Sequence, residues 1–466
     1  MESALDATAP GGDDYCEETA GLNDEQLRAF NLCVVDKTNV FITSAAGCGK
    51  SFIIKRVYET LRRTLVPGSD IVSKNPCLIG LTSTTGVSAQ VIGGVTLHSF
   101  LGIGIGGSYA TLLNKIMKNS ATRKRWRELH TLIIDEISMI SPDLFETLEA
   151  LARNVRGNNK PFGGIQLILT GDFMQLPPVE KIKGREFVFK SPVWKTCVTR
   201  VVVLKKIMRQ RDADFISALA NIRMGDITDE CRKLIGSREI KYTPPESHDT
   251  KSEACDVSDV EVITPGEVKP KVIPTKLYPV NSKVDACNEK YYNKLPGEEH
   301  VYNINFEWQL KLSSYDREKL ESTTRYPGVL KLKVGAQVMH LANIGVLVNG
   351  SRGVVTEFVN GFPKVKFHSG VERVITPTSL DVEREGEKIM SYKQIPLKLA
   401  WAATIHKTQG CTLDLVCVNF KQTFEYGQFY VALSRCSDLR GLYVKNLDWN
   451  LVKVHPDCLA YYKSLA

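Results

Sequence analysis

The chain has 466 residues, of which 43% are hydrophobic and 24% charged, and its formal net charge is +8. This length is too great for one compact core, so roughly two to four domains are expected. The 12 cysteines form no C-x-x-C pair and no apolar run approaches the length of a membrane span, which argues against zinc ribbons, disulfide scaffolds and membrane insertion.

Charge is distributed unevenly along the chain. The overall basic balance is compatible with a polyanionic partner, but equally with an ordinary basic enzyme. Residues 1–20 carry six acidic side chains and no lysine or arginine, the opposite of a secretory or mitochondrial targeting segment. They predict a disordered acidic tail. The expected location is a reducing compartment, the nucleus or the cytoplasm, with a viral replication site as a further option.

The first part of the chain alternates buried strand patterns with amphipathic helices. The runs NVFIT, CLIGLTS, TLIIDE and IQLILTGD predict a parallel sheet covered on both faces, hence an α/β fold. Between the last two runs, Ser141-Pro142 predicts the start of a helix and Gly157 its end. This domain is expected over residues 21–195. Within it, the glycines and basic helix of residues 102–128 predict a small insertion.

The second part of the chain has a different pattern. Asn349-Gly350 and Asn360-Gly361 lie among short alternating strands, which predicts hairpins and a small antiparallel barrel over residues 331–385. The flanking segments 196–330 and 386–466 return to strand and helix patterns, so the barrel is expected as an insertion in a second α/β domain. Proline, serine and acidic residues over 244–275 predict a loop or linker.

The stretch NVFITSAAGCGKSFIIK, residues 39–55, has the pattern of a phosphate-binding loop between a strand and a helix. Gly47 and Gly49 let the backbone approach phosphate, Lys50 reaches the β- and γ-phosphates, and the Ser51 hydroxyl ligates Mg²⁺. Ser44 stands where the usual pattern has its first glycine. The stretch predicts a nucleotide site and raises the question whether Ser44 must adopt a positive φ.

Two further strand ends carry polar side chains. In TLIIDE, Asp135 is predicted to orient Mg²⁺ and Glu136 to polarise the attacking water. An acidic pair at a strand end is otherwise typical of a helix cap or a solvated turn, but the phosphate loop favours the chemical interpretation. ILTGDFMQLPPV ends at the same predicted sheet edge. There Asp172 and Gln175 are candidates to sense the γ-phosphate, whereas Pro177-Pro178 has the composition of a rigid turn.

Stabilisation of a transferring phosphoryl group requires cations from outside the loop. The candidates are Arg209 in KKIMRQ and Arg435 in FYVALSRC. Each arginine taken alone is equally consistent with a surface salt bridge, so the residues themselves leave both interpretations open.

A series of motifs resembles, in order, those of superfamily-one helicases of the 5′-to-3′ branch: LNDEQ, SAAGCGKS, GLTSTTGVSAQVIGGVTLHSF, IIDEISMI, TGDFMQLPPV, IMRQ, AATIHKTQG and YVALSRC. LFETLEALARNVRGNNKPFGGIQLILTGDF is similar to a signature of the Pif (petite integration frequency) helicases, and so is VGAQVMHLANI followed by LVNGSRGVV. The resemblance covers residues 21–446.

This resemblance implies two RecA-like P-loop domains with parallel sheets, the small insertion in the first and an SH3-like β-barrel inserted in the second. It implies a DNA helicase that uses ATP and Mg²⁺, moves 5′ to 3′ on single-stranded DNA and unwinds duplex DNA in replication, recombination or repair. The expected partners are single-stranded DNA and tailed or forked duplexes, with G-quadruplex DNA left open. No membrane partner is expected, and the protein is expected to act as a monomer.

The resemblance also assigns residues to the nucleotide site. Gln26 would contact the adenine edge, although an exposed helix residue is the plainer interpretation of that glutamine. Arg435 would act as an arginine finger and Gly410 would lie near the γ-phosphate. The other predicted nucleotide-binding residues are Ala46, Gly47, Cys48, Gly49, Lys50, Ser51 and Phe52. The predicted metal ligands are Ser51 and Asp135, and the predicted catalytic residues are Lys50, Glu136, Gln175, Arg209 and Arg435.

For single-stranded DNA, the resemblance implies contacts from three segments, of which the last is expected to link DNA to the ATP site. These are Thr82, Ser83, Thr84 and Gly86; His98, Ser99 and Phe100; and His406, Lys407 and Thr408. Hydroxyls, backbone N–H groups and a few cations suit strand binding without sequence preference. Either histidine alone would more often be a structural residue.

Other functions remain open at this stage. Ser44 departs from the family pattern, while the short acidic N-terminus and the end of the chain soon after YVALSRC favour a minimal helicase core. A P-loop kinase would leave AATIHKTQG and YVALSRC unexplained. A nucleic-acid scaffold with a degenerate ATPase fold is opposed by the intact Lys50, Asp135-Glu136 and Gln175. A translocase that strips proteins from DNA with little unwinding is the remaining alternative.

Overall fold

The computed structural model describes residues 18–65, 78–104, 107–178, 186–240, 273–310 and 312–465, the last range without 322–323, 325, 343, 345–346, 348, 385–386 and 423–424. Most of the predicted acidic tail and of the predicted linker therefore lies outside the described residues. Within the described ranges, no helix combines the length and the apolar character needed to cross a membrane.

The chain forms two compact units. The first contains the described residues up to Arg209 and again from His455, and the second contains most of those between Gln210 and Val454. The sequence placed the end of the first domain at 195 and the C-terminal residues in the second. The structure corrects both boundaries, because Arg200–Leu204 is a strand of the first sheet and Pro456–Lys463 is a helix of the first unit.

The first unit is an α/β domain on a six-stranded sheet of order β3-β2-β4-β5-β1-β6, in which all neighbouring strands are parallel. Its strands are β1 (Val40–Ser44), β2 (Ile79–Ser83), β3 (Val95–Thr96), β4 (Thr131–Asp135), β5 (Gln166–Gly171) and β6 (Arg200–Leu204). Its helices up to Arg209 are α1 (Asp24–Val34), α2 (Lys50–Leu65), α3 (Gly86–Ile92), α4 (Leu97–Phe100), α5 (Tyr109–Lys118), α6 (Ser120–Glu128), α7 (Pro142–Arg156) and α8 (Trp194–Cys197).

The sheet of the first unit has the buried character predicted from its apolar runs. β1, β2, β4 and β5 are buried along their whole length, so both faces of the sheet are covered. α7 begins after Ser141, whose hydroxyl accepts from the N–H of Leu144, and has Pro142 in its first turn. It ends at Gly157, whose φ is 60°. The predicted start and end of this helix are therefore confirmed.

The predicted insertion over residues 102–128 contains the helices α5 and α6, and it is tied to the α/β core. The indole N–H of the fully buried Trp126 donates to the carbonyl oxygen of Leu101 at 3.0 Å. Arg156 of α7 donates to the carbonyl oxygens of Trp126 at 2.8 Å and Leu129 at 2.9 Å. One guanidinium thus satisfies carbonyls at the C-terminal end of α6 that the helix itself leaves without a partner.

The second unit contains α9 (Ala213–Met224), α10 (Asp229–Gly236), β7 (Thr275–Tyr278), α11 (Asn281–Asn293), β8 (His300–Asn303), β9 (Asn305–Trp308), α12 (Ser314–Glu321), β10 (Val329–Leu332), β11 (Gln337–His340), β12 (Arg352–Val359), β13 (Phe362–Phe367), β14 (Glu372–Val374), β15 (Thr378–Arg384), β16 (Glu387–Gln394), β17 (Leu397–Leu399), β18 (Ala402–Thr404), β19 (Val416–Asn419), α13 (Gln428–Ser434) and β20 (Leu442–Lys445). The chain then returns to the first unit as α14 (Pro456–Lys463).

The second unit combines a parallel sheet with antiparallel sheets, as predicted. The parallel sheet has the order β18-β7-β19-β20, and a five-stranded antiparallel sheet has the order β14-β13-β12-β11-β17. Asn360 and Gly361 form the β12–β13 turn with φ of 51° and 79°, which confirms that hairpin. β17 extends the antiparallel sheet beyond the predicted limit of residue 385. The SH3-like description of this region stays a prediction.

A buried arginine joins the antiparallel sheet to segments next to the parallel sheet of the same unit. Arg352, at the start of β12, is 1% exposed and donates to the carbonyl oxygens of Leu415 at 2.6 Å and Ile273 at 2.5 Å. The side chain of Gln337 in β11 bonds to both the N–H and the carbonyl oxygen of Ile273, at 2.8 and 2.9 Å. Burial lowers the pKa of Arg352 below its ordinary value.

Gly163→Ala is expected to destabilise the first unit more than Gly157→Ala. Both glycines have positive φ, 61° and 60°, so alanine causes a similar backbone strain at the two positions. A Cβ at Gly163 would lie 2.6 Å from the carbonyl oxygen of Ala152, whereas a Cβ at Gly157 would meet nothing within 4 Å. Denaturant unfolding should show a free energy of unfolding lower by about 1–3 kcal/mol in Gly163→Ala than in Gly157→Ala. Equal values would contradict the close contact.

Candidate nucleotide site and nucleic-acid interface

The phosphate-binding loop connects the end of β1 to the start of α2. Gly47 and Gly49 both have φ of 88°, a left-handed conformation that glycine adopts without strain. A Cβ at Gly49 would also lie 2.8 Å from Nε2 of Gln26. α2 begins at Lys50 and is 16 residues long, so the N-terminus of a long helix lies at the loop. This is the arrangement that binds phosphate.

Ser44 is the last residue of β1 and has strand backbone rather than a positive φ. A serine is therefore accommodated at this position without backbone strain. The Nζ atom of Lys50 donates to Ser44 Oγ at 3.0 Å, to the Ser44 carbonyl oxygen at 3.0 Å and to the Ala45 carbonyl oxygen at 3.2 Å. Three acceptors thus hold Lys50 at the end of β1. One of them is the Ser44 hydroxyl, which a glycine at this position would not supply.

Gln26 lies in the first turn of α1, where it forms a capping box with Asn23. It is 4% exposed, and its Nε2 atom lies 3.5 Å from the carbonyl oxygen of Cys48. The plainer interpretation of an exposed helix residue is therefore wrong, because the amide is buried beside the loop. Of the other predicted nucleotide-binding residues, Ala46 and Cys48 are buried, whereas Phe52 is 45% exposed.

The segment that follows β6 is bonded to the loop and to α1. The N–H of Met208 donates to the carbonyl oxygen of Gly47 at 2.8 Å. The N–H of Lys205 donates to Glu25 Oε2 at 2.7 Å. Arg209, which is partly buried, comes directly after Met208. The structure thus places the backbone of Arg209 one residue from a direct contact with the loop, and its role as a cation for the phosphoryl group stays a prediction.

Asp135 ends β4 as a buried carboxylate, 3% exposed. The hydroxyl of Thr170 in β5 donates to Asp135 Oδ1 at 2.5 Å, and the N–H of Glu136 donates to the same oxygen at 3.0 Å. Burial raises the pKa of Asp135, although the hydrogen bond from Thr170 and the positive charge of Lys50 act in the opposite direction. A buried carboxylate of this kind is stabilised by a bound cation.

Glu136 has a left-handed backbone, with φ of 56° and ψ of 45°, and is 6% exposed. This conformation is uncommon for a residue other than glycine, asparagine or aspartate. The short 3₁₀ turn Ile137–Met139 follows it directly. Backbone strain of this kind concentrates at functional sites. The conformation turns the chain sharply at the end of β4, so that Asp135 and Glu136 share one strand end.

The segment after β5 brings Asp172 and Gln175, the two candidate γ-phosphate sensors, into contact. Nε2 of Gln175 donates to Oδ2 of Asp172 at 3.3 Å, and both residues are buried. Oδ1 of Asp172 accepts from the hydroxyl of Tyr462 at 3.0 Å. Tyr462 was missed by sequence reasoning, because no local pattern connects a residue of α14 to a strand end 290 positions earlier.

Magnesium fits the residues present at this edge. Within the described part of the chain, no group of three or more His, Cys, Asp or Glu side chains is arranged to hold a metal ion. Mg²⁺ usually keeps several waters and binds one or two protein groups together with phosphates. Asp135 at the end of β4 and Ser51 at the start of α2 are oxygen donors of the required kind.

The first predicted DNA segment follows β2, and its residues differ in accessibility. Thr82 and Ser83 have 0% exposure, and their hydroxyls donate to the carbonyl oxygens of Ile133 at 2.7 Å and Asp135 at 3.2 Å. In this structure they connect β2 to β4 and present no surface to a strand. Thr84 is partly exposed and Gly86 is exposed, so the accessible part of the segment begins at residue 84.

The second predicted DNA segment is the short helix α4. Ser99 is exposed, while His98 and Phe100 are partly buried. Arg125 of the insertion donates to the carbonyl oxygen of Phe100 at 2.5 Å, and its guanidinium carbon lies 5.3 Å from the centre of the Phe100 ring. The insertion therefore holds α4 in place, and Ser99 is its most accessible predicted contact.

The predicted site residues of the second unit lie close to one another. His406, Lys407 and Thr408 form a 3₁₀ turn, and Gly410 after it has φ of 79°. Arg435, which is 1% exposed, donates to Val431 O at 3.0 Å, to Ser434 Oγ at 2.9 Å and to Thr408 O at 3.5 Å. The predicted arginine finger and the predicted DNA-linking turn are thus in direct contact within this unit.

A parallel sheet, a glycine loop before a long helix and carboxylates at neighbouring strand ends define a P-loop nucleotide-binding protein. Comparison with known proteins narrows this class. The model of the PIF1-like helicase family matches residues 21–233, and that of the DNA helicase Pif1 2B domain matches residues 320–358.

Solved structures and a curated relative agree with the family match. The chain is 36% identical to the Pif1 helicase from Candida albicans, with a TM-score of 0.71, covering 96% of this chain and 99% of that one. It is 29% identical to the Bacteroides Pif1 helicase in complex with ADP-AlF3 and ssDNA, with a TM-score of 0.60, covering 95% and 97%. The human ATP-dependent DNA helicase PIF1 is 38% identical over 448 residues, which are 95% of this chain and 63% of the human protein.

The chain belongs to the PIF1-like helicase family. This membership confirms the resemblance and the expected two RecA-like α/β domains. The chain spans about 63% of the length of the human relative.

Ser44→Gly is expected to tighten nucleotide binding by removing one acceptor that holds Lys50 at the strand end. The loss of one hydrogen bond to a charged donor should lower the Kd of a fluorescent ATP analogue by about twofold to tenfold. Ser44→Ala, which removes the same hydroxyl without adding backbone freedom, should give the same change. An unchanged or higher Kd in both variants would show that the hydroxyl does not compete with phosphate for Lys50.

Proposed function

We propose that this chain is an ATP- and Mg²⁺-dependent DNA helicase that translocates 5′ to 3′ on single-stranded DNA and unwinds duplex DNA. One observation carries the proposal. The accessible part of the predicted DNA-binding segment, which begins at Thr84 after β2, is hydrogen-bonded to the end of β4, where Asp135 and Glu136 lie. The N–H of Thr84 donates to Asp135 O at 3.3 Å, and its hydroxyl donates to Glu136 O at 3.2 Å. A displacement of the carboxylates during hydrolysis would therefore move the residues that hold the strand.

The names of the relatives support the same proposal. The human relative is called an ATP-dependent DNA helicase, and the Bacteroides Pif1 helicase was solved with ADP-AlF3 and ssDNA. The 5′-to-3′ direction follows from the motif resemblance. Single-stranded DNA and tailed or forked duplexes are the proposed partners of a monomer, in the nucleus or cytoplasm. The same unwinding assay, run on G-quadruplex DNA, would test the partner that the sequence left open.

We assign the site residues the following roles, which their positions support. Lys50 exchanges its strand-end acceptors for the β- and γ-phosphates of ATP, and Gln26 sits beside the loop where the adenine edge would bind. Glu136 orients and polarises the attacking water, and Gln175 senses the γ-phosphate from the end of β5. Ser51 and Asp135 would hold Mg²⁺, which when bound would supply positive charge to the phosphates. Arg209 and Arg435 supply positive charge to the transferring phosphoryl group.

The first test is hydrolysis of ATP with and without single-stranded DNA, followed by unwinding of tailed duplexes. Single-stranded DNA should raise the ATPase rate, because the Thr84 contacts connect bound DNA to the catalytic carboxylates. A duplex with a 5′ tail should be unwound and the same duplex with a 3′ tail should not. An ATPase rate that is the same with and without single-stranded DNA would contradict the helicase proposal. A strict need for a 3′ tail would reverse the direction, and ATPase without unwinding of either duplex would favour the translocase.

The second test is Lys50→Ala, which removes the cation predicted to reach the phosphates. ATPase activity should fall at least about a hundredfold, because the charge on the phosphates loses its main partner in the loop. The Kd for single-stranded DNA should stay close to that of the parent, since the predicted DNA-binding residues lie in or directly after β2, in α4 and in the turn of residues 406–408, and none lies in α2. Lys55→Ala, one turn further along α2, removes an equal charge and should leave both quantities unchanged. Full ATPase activity in Lys50→Ala would mean that the nucleotide site is misplaced.

A further inference from the structure

Helix α14 contributes a hydroxyl to the nucleotide-binding edge of the first unit. Oη of Tyr462 lies 2.6 Å from Oγ1 of Thr43, the residue before Ser44 in β1, and donates to Oδ1 of Asp172 at 3.0 Å. The N–H of Phe173 donates to the same hydroxyl at 3.0 Å. Residues 419 positions apart are thus joined at one strand end.

The position of Tyr462 depends on the packing of α14 as a whole. The ring of the neighbouring Tyr461 stacks on Phe189, with ring centres 4.5 Å apart. At the start of the helix, Asp457 pairs with Lys190 at 2.8 Å, and Cys458 is fully buried. A phenylalanine at position 462 would therefore remain in place, and the substitution would remove only the hydroxyl.

Both carboxylate oxygens of Asp172 are engaged. Oδ1 accepts from the Tyr462 hydroxyl and from the N–H of Met174 at 3.1 Å, while Oδ2 accepts from Nε2 of Gln175 at 3.3 Å. Asp172 has 0% exposure, so no bulk water replaces a lost donor. The orientation of the Gln175 amide consequently depends on a carboxylate whose opposite oxygen is held by Tyr462.

We propose that Tyr462 is a positioning residue for ATP hydrolysis in the first unit. Its hydroxyl fixes the carboxylate of Asp172, and through it the amide of Gln175 that senses the γ-phosphate. This inference rests on the proposed function and extends it to a residue of the C-terminal helix. Because Tyr462 acts through Asp172, its loss lowers the rate of the chemical step and leaves the binding of ATP and DNA unchanged.

The test compares Tyr462→Phe with Tyr461→Phe in the full chain. Tyr461 is the matched control, since it is the next residue on the same helix and the substitution also removes one hydroxyl from a ring that packs in the same aromatic cluster, against Phe173 and Phe189. Tyr462→Phe should lower the kcat of the DNA-stimulated ATPase by about fivefold to twentyfold. Its KM for ATP and its Kd for single-stranded DNA should stay within about twofold of the parent, and Tyr461→Phe should leave kcat within about twofold.

Asp172→Asn supplies an independent test of the connection from Tyr462 through Asp172 to Gln175. It should lower kcat, and adding Tyr462→Phe to it should lower kcat no further, because both substitutions break the same connection. An unchanged kcat in Tyr462→Phe or in Asp172→Asn would overturn the proposal. Losses of kcat that add in the double variant would also overturn it. An equal loss of kcat in Tyr462→Phe and Tyr461→Phe, with a parallel fall in the Tm of both, would overturn it as well. A parent protein without ATPase activity would refute the proposed function itself, whereas an active parent with an unaffected Tyr462→Phe refutes only this inference.

Discussion

Parallel pairing among β1, β4 and β5 determines where the phosphate loop and the two acidic segments of the candidate nucleotide site lie. Thr43 is opposite Gly171, and Ile134 is opposite Leu169, so the phosphate loop and the two acidic segments leave the sheet at one edge. These strands are buried on both faces, and a slip of one residue would break the buried packing of each. The register therefore sets the distances among Lys50, Asp135 and Gln175.

In each unit a residue assigned to nucleotide chemistry is bonded directly to a residue assigned to DNA. In the first unit these are Glu136 and Thr84, joined through the Glu136 carbonyl oxygen at 3.2 Å. In the second they are Arg435 and Thr408, joined through the Thr408 carbonyl oxygen at 3.5 Å. In both contacts a side-chain donor bonds to a backbone carbonyl oxygen, so each contact responds to movement of the backbone that carries the acceptor. The proposed coupling of nucleotide state to DNA binding would use this kind of short connection.

Features that depend on neighbouring residues were predictable from the sequence. The loop glycines, the caps of α7 and the β12–β13 turn follow from conformational preferences of a few adjacent residues. Features that depend on contacts between residues far apart in the sequence were not predictable. The partner of β6 is β1, and Tyr462 reaches Thr43 over 419 positions, so neither the first domain boundary nor the α14 contact has a local signal. The burial of Gln26 was missed for the same reason, because one helical turn of sequence does not show what covers it.

The left-handed backbone of Glu136 has a consequence for how this position can change. An L-residue in that conformation costs about 1–2 kcal/mol relative to glycine, and Glu136 adopts it with φ of 56° at 6% exposure. The backbone conformation alone would favour glycine or asparagine at this position. Replacement of Glu136 by glycine would therefore remove backbone strain, so a protein that gave up the proposed hydrolysis at this position would gain thermal stability.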